Sequence, residues 1–226
     1  MSDAQPLNAR HQRLRALVAV LFEGAVFVGV TRIADARESD LWPEERALIR
    51  AAIPARRQEF AAGRLAARLA LASAGRAPSP VLTAASRAPI WPAGIAGSIS
   101  HGDGWALAAV SDTMRAVGLD IDSATDLPAD ILETVLTTQE ALQIAAMQRP
   151  GPWAKVIFCV KECAYKAQFP QSQSLFGFDM FDTRLDPATG VFEVTFQGDA
   201  VPFLRGDVLR GRFALTDGVI IAALAT

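Results

Sequence analysis

Residues 117–122 read Val-Gly-Leu-Asp-Ile-Asp, and this short run constrains the chain more than any other segment. Residues two apart on a strand share a face, so a strand here turns Val117, Leu119 and Ile121 into a core. Asp120 and Asp122 then present their carboxylates together on the other side. Two like charges side by side repel unless a cation sits between them. Hard oxygen donors suit magnesium, which commonly takes one or two carboxylates and completes its shell with water and substrate phosphates. The same pair would also serve at a strand end where both acids are simply solvated, and an Asp-x-Asp alone is weak evidence.

The rest of the chain supplies a setting for that strand. Trp42-Pro43-Glu44-Glu45 has the form of a helix start, with Pro in the first turn and acids at the positive end of the dipole. A longer helix is expected from about Ala55 to Ala74, closed by Gly75, Pro78 and Pro80, and Ala84 to Pro92 reads as loop. Strands are expected at Ile95–Ile99, Trp105–Ser111 and Ala116–Ile121, then helices at Ala129–Leu136, Thr138–Met147 and Trp153–Gln168. Four strands close the chain: Met180–Leu185, Val191–Phe196, Val208–Leu215 and Val219–Leu224.

Each half thus has a helical and a strand portion. The fold class expected is α+β, in two lobes of residues 1–113 and 114–226 that share a cleft. With 51% hydrophobic residues in 226, there is material enough for two fused cores.

Several function classes are disfavoured. A formal charge of −2 lacks the basic excess of a general nucleic-acid binder. No stretch reaches the roughly 18 to 20 apolar residues of a membrane span. Ala16–Val30, behind Arg10, Arg13 and Arg15, imitates a secretory signal, but Glu23-Gly24 breaks it and no small-residue cleavage site follows. It reads as two short core strands joined at Glu23-Gly24, behind fifteen residues whose order the sequence leaves open. Cys159 and Cys163, four apart on a helix, are poorly placed for a disulfide, and with two histidines a Cys/His zinc site is disfavoured. A reduced, cytoplasmic chain is the expectation.

Polar groups cluster in four further places. In Phe158-Cys159-Val160-Lys161-Glu162-Cys163-Ala164-Tyr165-Lys166 the charges Lys161, Glu162 and Lys166 crowd a short arc of an otherwise apolar helix. An ordinary surface pair Glu162–Lys166 is one reading; a half-buried cluster serving a phosphate and a metal together is the other. Arg57, Arg64 and Arg68 fall roughly in line on the long helix with Arg56 beside them, Gly63 could admit a ligand to the backbone, and Arg87 follows in the loop. Ser100 and His101 adjoin, but neighbours on a strand face opposite ways and the Gly-x-Ser-x-Gly elbow is absent, so a Ser-His hydrolase is disfavoured. Both fit better as hydrogen-bond donors to a phosphorylated ligand. Glu140 completes a Thr137-x-x-Glu140 capping box, which by itself explains that acid.

Taken together, Arg56-Arg57-Gln58-Glu59-Phe60-Ala61-Ala62-Gly63-Arg64, Trp91-Pro92 leading to Gly97-Ser98-Ile99-Ser100-His101, Gly118-Leu119-Asp120-Ile121-Asp122 and the block ending Lys161-Glu162…Lys166 resemble the 4'-phosphopantetheinyl transferases. The likeness is closest to the enterobactin-synthase-component type, within the surfactin-type class, and spans about residues 40–180. It implies a pseudo-twofold α+β fold with coenzyme A and magnesium between two similar lobes. It also implies transfer of the phosphopantetheine arm of coenzyme A to a serine of an apo acyl or peptidyl carrier protein, releasing 3',5'-ADP. By position Asp120, Asp122 and Glu162 resemble the magnesium ligands, and Lys166 and His101 the phosphate contacts, with Ser100 beside them. Arg56 and Arg64 resemble binders of the adenosine 3'-phosphate or the pyrophosphate, with Arg87 assisting. Glu162 is then the candidate base and Lys166 neutralises the leaving side.

Glu140 falls where the surfactin-type enzymes carry a further acid near the site. Asp122 stands where many members have Glu, and its shorter arm leaves open whether it meets magnesium directly or through water. The likeness favours a monomer and leaves the pathway open among fatty acid, polyketide and siderophore synthesis. Two rival functions use the same residues: a magnesium-dependent phosphohydrolase or nucleotidyl enzyme, and a non-catalytic coenzyme A-binding module.

Overall fold

Two antiparallel sheets lie side by side, and the strand carrying the acid pair forms the edge of one of them. The computed structural model describes residues 4–147 and 150–226. The first lobe contains α1 (Ala4–Leu21), β1 (Phe27–Arg32), α2 (Pro43–Leu48), α3 (Pro54–Ser73), β2 (Leu82–Thr83), β3 (Pro89–Ile90), β4 (Ala96–Gly102) and β5 (Trp105–Ser111). The second contains β6 (Val117–Ser123), α4 (Leu132–Val135), α5 (Thr138–Ala145), α6 (Pro150–Ser172), β7 (Phe181–Asp186), β8 (Val191–Phe196), β9 (Val208–Thr216) and β10 (Val219–Ala225).

The strand orders β1-β5-β4 and β6-β10-β9-β8-β7 show the internal likeness. In each lobe a first strand pairs with the last, the last pairs with the one before it, and one long helix covers the sheet. A glycine lets that helix close on the first strand in both cases. A Cβ at Gly29 would overlap the carbonyl of Ala66 on α3, and one at Gly118 would overlap the carbonyl of Cys163 on α6. β7 and β8 extend the second sheet only.

The acid strand faces as its alternation predicts. Val117, Leu119 and Ile121 join Val28, Val30, Trp105, Leu107, Val219 and Ile221 in one core that spans both sheets. Leu14, Val18 and Leu21 of α1 complete this core. The opposite face is divided: Ala66, Ala67, Ala70 and Leu71 of α3 pack on Ala108 and Val110, while α6 packs on Ile220, Ala222 and Leu224. Asp120 and Asp122 therefore look out between the two long helices.

β4 and β6 run alongside each other across the seam, where serine hydroxyls bridge them. Ser98 Oγ accepts from Leu119 N at 3.1 Å and donates to Leu119 O at 3.4 Å, and Ser100 Oγ accepts from Ile121 N at 3.3 Å.

Three sequence expectations change. Ala16–Leu21 is helix rather than strand, because Leu14, Val18 and Leu21 recur at helical spacing and bury together. α1 begins by Ala4, which answers the open question of order before residue 16 for the described residues; residues 1–3 lie outside them. Pro89–Ile90, expected as loop, pairs with Leu82–Thr83. The helix expected at 129–136 divides into a 3-10 turn, Ala129–Ile131, and α4. Cys159 and Cys163 are buried free thiols, as their spacing predicts, and no helix among the described residues is long and apolar enough to cross a membrane.

Candidate active site

A cleft of about 790 Å³ opens between α3 and α6 above the β4–β6 seam. α3 lines it with Arg56, Glu59, Phe60, Gly63 and Arg64, and the following segment adds Thr83 and Arg87. β4 brings Ser100 and His101, β6 brings Asp120 and Asp122, and α6 brings Phe158, Glu162 and Lys166. A more apolar groove of about 710 Å³ continues past Lys166 toward Trp91, Met114 and Phe169.

At the floor of the cleft the two lobes meet through a hydrogen-bonded junction of Asp120, Ser100 and Lys166. Asp120 Oδ1 accepts from Ser100 Oγ at 2.6 Å and from Lys166 Nζ at 2.5 Å, while Lys166 Nζ also donates to Ser100 Oγ at 3.1 Å. Burial alone would push the Lys166 ammonium down, but Asp120 and then Glu162 outweigh it and hold its pKa above the ordinary lysine value. Lys166 is therefore a fixed positive charge. Glu162 is half-buried beside it, with no ion-pair partner among the described residues. Burial raises its pKa, Lys166 opposes the rise and Asp120 adds to it.

On the other wall Arg56 Nη1 donates to His101 Nε2 at 2.6 Å and reaches Glu59 at 3.3 Å. An arginine cannot accept, so His101 is neutral at Nε2 in this contact. Burial lowers the His101 pKa, Arg56 and Lys166 lower it further, and Glu59 and Asp120 oppose them. Arg64 lies over the Phe60 ring, 4.1 Å from its centroid, and donates to Thr83 Oγ1 at 2.8 Å. Its Nε is buried without a partner, and burial pushes its pKa down to about 10, which leaves it charged at neutral pH.

Some charges singled out in the sequence do not reach the cleft. Lys161 was expected to share an arc with Glu162 and Lys166, but it turns the other way and is fully buried. Its Nζ donates to Glu140 Oε2 at 2.7 Å, to Val135 O at 2.8 Å and to Phe178 O at 3.0 Å. Neighbours on a helix differ by about 100°, enough to send Glu162 to the cleft and Lys161 to the core. Glu140, expected near the site, is the buried partner of Lys161 and caps α5 as its sequence pattern predicts. Arg68 pairs with buried Glu45 at 3.0 Å and Arg57 with Glu38 at 3.5 Å, both away from the cleft.

Lys155 went unnoticed in the sequence. Its Nζ lies 2.6 Å from Asp122 Oδ2. The signal was available, since Lys155 precedes Glu162 by seven residues and Lys166 by eleven, intervals that keep all three on one helix face. Each aspartate of β6 thus holds one lysine of α6, and Glu162 stands between the two pairs. Among the described residues no three acidic, histidine or cysteine side chains form a preformed metal cluster. The donor set nonetheless fits a hard divalent ion: every donor is a carboxylate oxygen, and Glu162 lacks a cation of its own.

Two family models match the chain. Residues 44–111 match the family model of the 4'-phosphopantetheinyl transferase N-terminal domain, and residues 116–219 match that of the 4'-phosphopantetheinyl transferase superfamily. The chain is 34% identical over 192 residues to 4'-phosphopantetheinyl transferase Svp of Streptomyces mobaraensis, covering 82% of this chain and 78% of that protein. It is 33% identical over 191 residues to 4'-phosphopantetheinyl transferase PptT of Mycobacterium tuberculosis, covering 80% and 84%. Enterobactin synthase component D of Salmonella typhi is 34% identical over 142 residues, covering 62% and 59%.

Proposed function

The chain belongs to the 4'-phosphopantetheinyl transferase superfamily and moves the 4'-phosphopantetheine arm of coenzyme A to carrier proteins, and from that premise we propose that the cleft between α3 and α6 is where the transfer takes place. The observation that carries this reading is the Asp120–Ser100–Lys166 junction, which brings acids of one lobe within reach of the cationic wall of the other.

Arg56 and Arg64 take the adenosine 3'-phosphate or the pyrophosphate, with Arg87 assisting from the loop and His101 and Ser100 at the floor. The carrier serine Oγ attacks the β-phosphorus, the bridging P–O bond breaks, and 3',5'-ADP leaves. Negative charge grows on the phosphate oxygens, so fixed cations supply much of the catalysis; Lys166, held positive by Asp120, neutralises the leaving side. Glu162 takes the serine proton, directly or through a water it orients. Burial, which raises its pKa, makes it a better base than an ordinary glutamate.

Magnesium is the ion this acidic set would hold, through Asp120 and Glu162 with Asp122 beside them. When bound it would supply Lewis-acid polarisation of the pyrophosphate. The lobes divide at residues 113 and 114 in this reading, with the basic wall in the first and the acids in the second, and the enzyme acts as a cytoplasmic monomer on an acyl or peptidyl carrier.

Incubation with coenzyme A, magnesium and pure apo-carrier protein, followed by intact mass analysis of the carrier, tests the proposal. A gain of one phosphopantetheine is expected. Release of phosphate or nucleotide without carrier would favour a phosphohydrolase, and coenzyme A binding without turnover would favour a binding module.

A further inference from the structure

We infer that Lys155 is a positioning residue that withholds Asp122 from the metal, so that the ion is held by Asp120 and Glu162. The inference rests on the magnesium–coenzyme A reading of the cleft. Lys155 Nζ lies 2.6 Å from Asp122 Oδ2, and only 13% of the Lys155 side chain is exposed. The other oxygen, Oδ1, accepts from the backbone N–H of Ser123 at 2.7 Å and from Ser123 Oγ at 3.4 Å. Both oxygens of Asp122 are therefore engaged inside the protein.

Asp120 differs in the one respect that matters. Its cation, Lys166, itself lines the cleft and can turn to a phosphate when one arrives, releasing Oδ1. Lys155 is not among the residues that line the cleft, and its mostly buried ammonium lies between Asp122 and the Phe158 ring, 5.1 Å from the ring centroid. A ligand entering the cleft offers Lys155 no anion in exchange for Asp122. Pulling Asp122 onto the ion would leave a mostly buried ammonium unpaired, which is costly.

The test is the magnesium dependence of coenzyme A binding, followed by calorimetry at a series of magnesium concentrations and read as the apparent magnesium dissociation constant. Asp120→Asn is expected to raise that constant by about tenfold or more, and Asp122→Asn by less than about threefold. Lys155→Met frees Asp122 and removes a nearby positive charge, so the constant should fall by about threefold or more. Adding Asp122→Asn to Lys155→Met should erase that gain, and Lys155→Arg should behave as wild type.

A loss in Asp122→Asn within threefold of that in Asp120→Asn overturns the inference, as does a Lys155→Met variant that binds magnesium no more tightly than wild type. Thermal melts check that each variant is folded; if Asp122→Asn is not, the Lys155→Met result decides. Failure of wild type to show any magnesium-dependent binding would instead overturn the reading of the cleft itself.

Discussion

Each lobe is pinned by one buried glutamate, and the two differ in what they hold. Glu45, near the start of α2, accepts from Trp42 N at 3.0 Å, Val81 N at 2.9 Å and Arg68 Nη1 at 3.0 Å. Glu140, near the start of α5, accepts from Thr137 N at 2.7 Å, Thr183 N at 2.7 Å and Lys161 Nζ at 2.7 Å. Both satisfy the N-terminus of a short helix, a distant backbone N–H and a cation from the lobe's long helix. Arg68, however, keeps 16% of its side chain exposed, whereas Lys161 has none.

A charge locked into a lobe's interior is not available to a ligand. In the first lobe that leaves Arg56 and Arg64 to face the cleft; in the second it leaves Glu162 and Lys166. The internal likeness of the lobes thus extends to how they are held together, while the chemistry sits in the charges left over.

The sharpest test of that division is Glu162→Ala. Transfer to pure apo-carrier should fall by on the order of 10²–10⁴-fold, while the melting temperature stays near that of wild type. Near-normal turnover would remove Glu162 from the mechanism.

Glu140→Ala should do the reverse. It strands a fully buried ammonium and should cost roughly 3–5 kcal/mol, seen as a melting temperature lower by on the order of 10 °C. Glu45→Ala should cost less, roughly 1–3 kcal/mol, because Arg68 can turn toward water. Equal losses would mean that the exposure difference between the two partners is unimportant.

Within α3, Arg56→Ala should weaken coenzyme A binding by about tenfold, whereas Arg57→Ala, whose partner is Glu38 at the surface, should change it little. Calorimetric titration separates the two.

The smallest effect concerns His101. Because burial and then the nearby cations lower its pKa, proton NMR of the free protein should show it titrating below about 6.5. The unfolded chain then binds more protons than the folded one in this range, so this group's contribution falls as pH drops through about 6.5 and levels off below the lowered folded value. Coenzyme A phosphates should move the titration upward. An ordinary value in the free protein would mean that the Arg56 contact does not hold in solution.

Much of this was legible in the residues. The alternation of Val117 to Asp122 foretold which side chains are core and which face the cleft, and the Thr137–Glu140 pattern foretold the cap on α5. The long helices and most strands followed from apolar spacing and from Gly and Pro punctuation. α1 was missed because an apolar run of modest length suits a strand or a helix, and its buried Leu14, Val18 and Leu21 have meaning only against both sheets.

By itself, then, the sequence determined the two lobes, the acid strand and the helix that answers it, because local periodicity sets which face each side chain takes. Only the tertiary structure decided how the charges are shared out: Lys161 to Glu140, Lys166 to Asp120, Lys155 to Asp122, with Glu162 left over. A position on a helix sets an angle and no partner. The partners lie on β6 and α5, more than twenty residues away in sequence, and burial decides which pairs close.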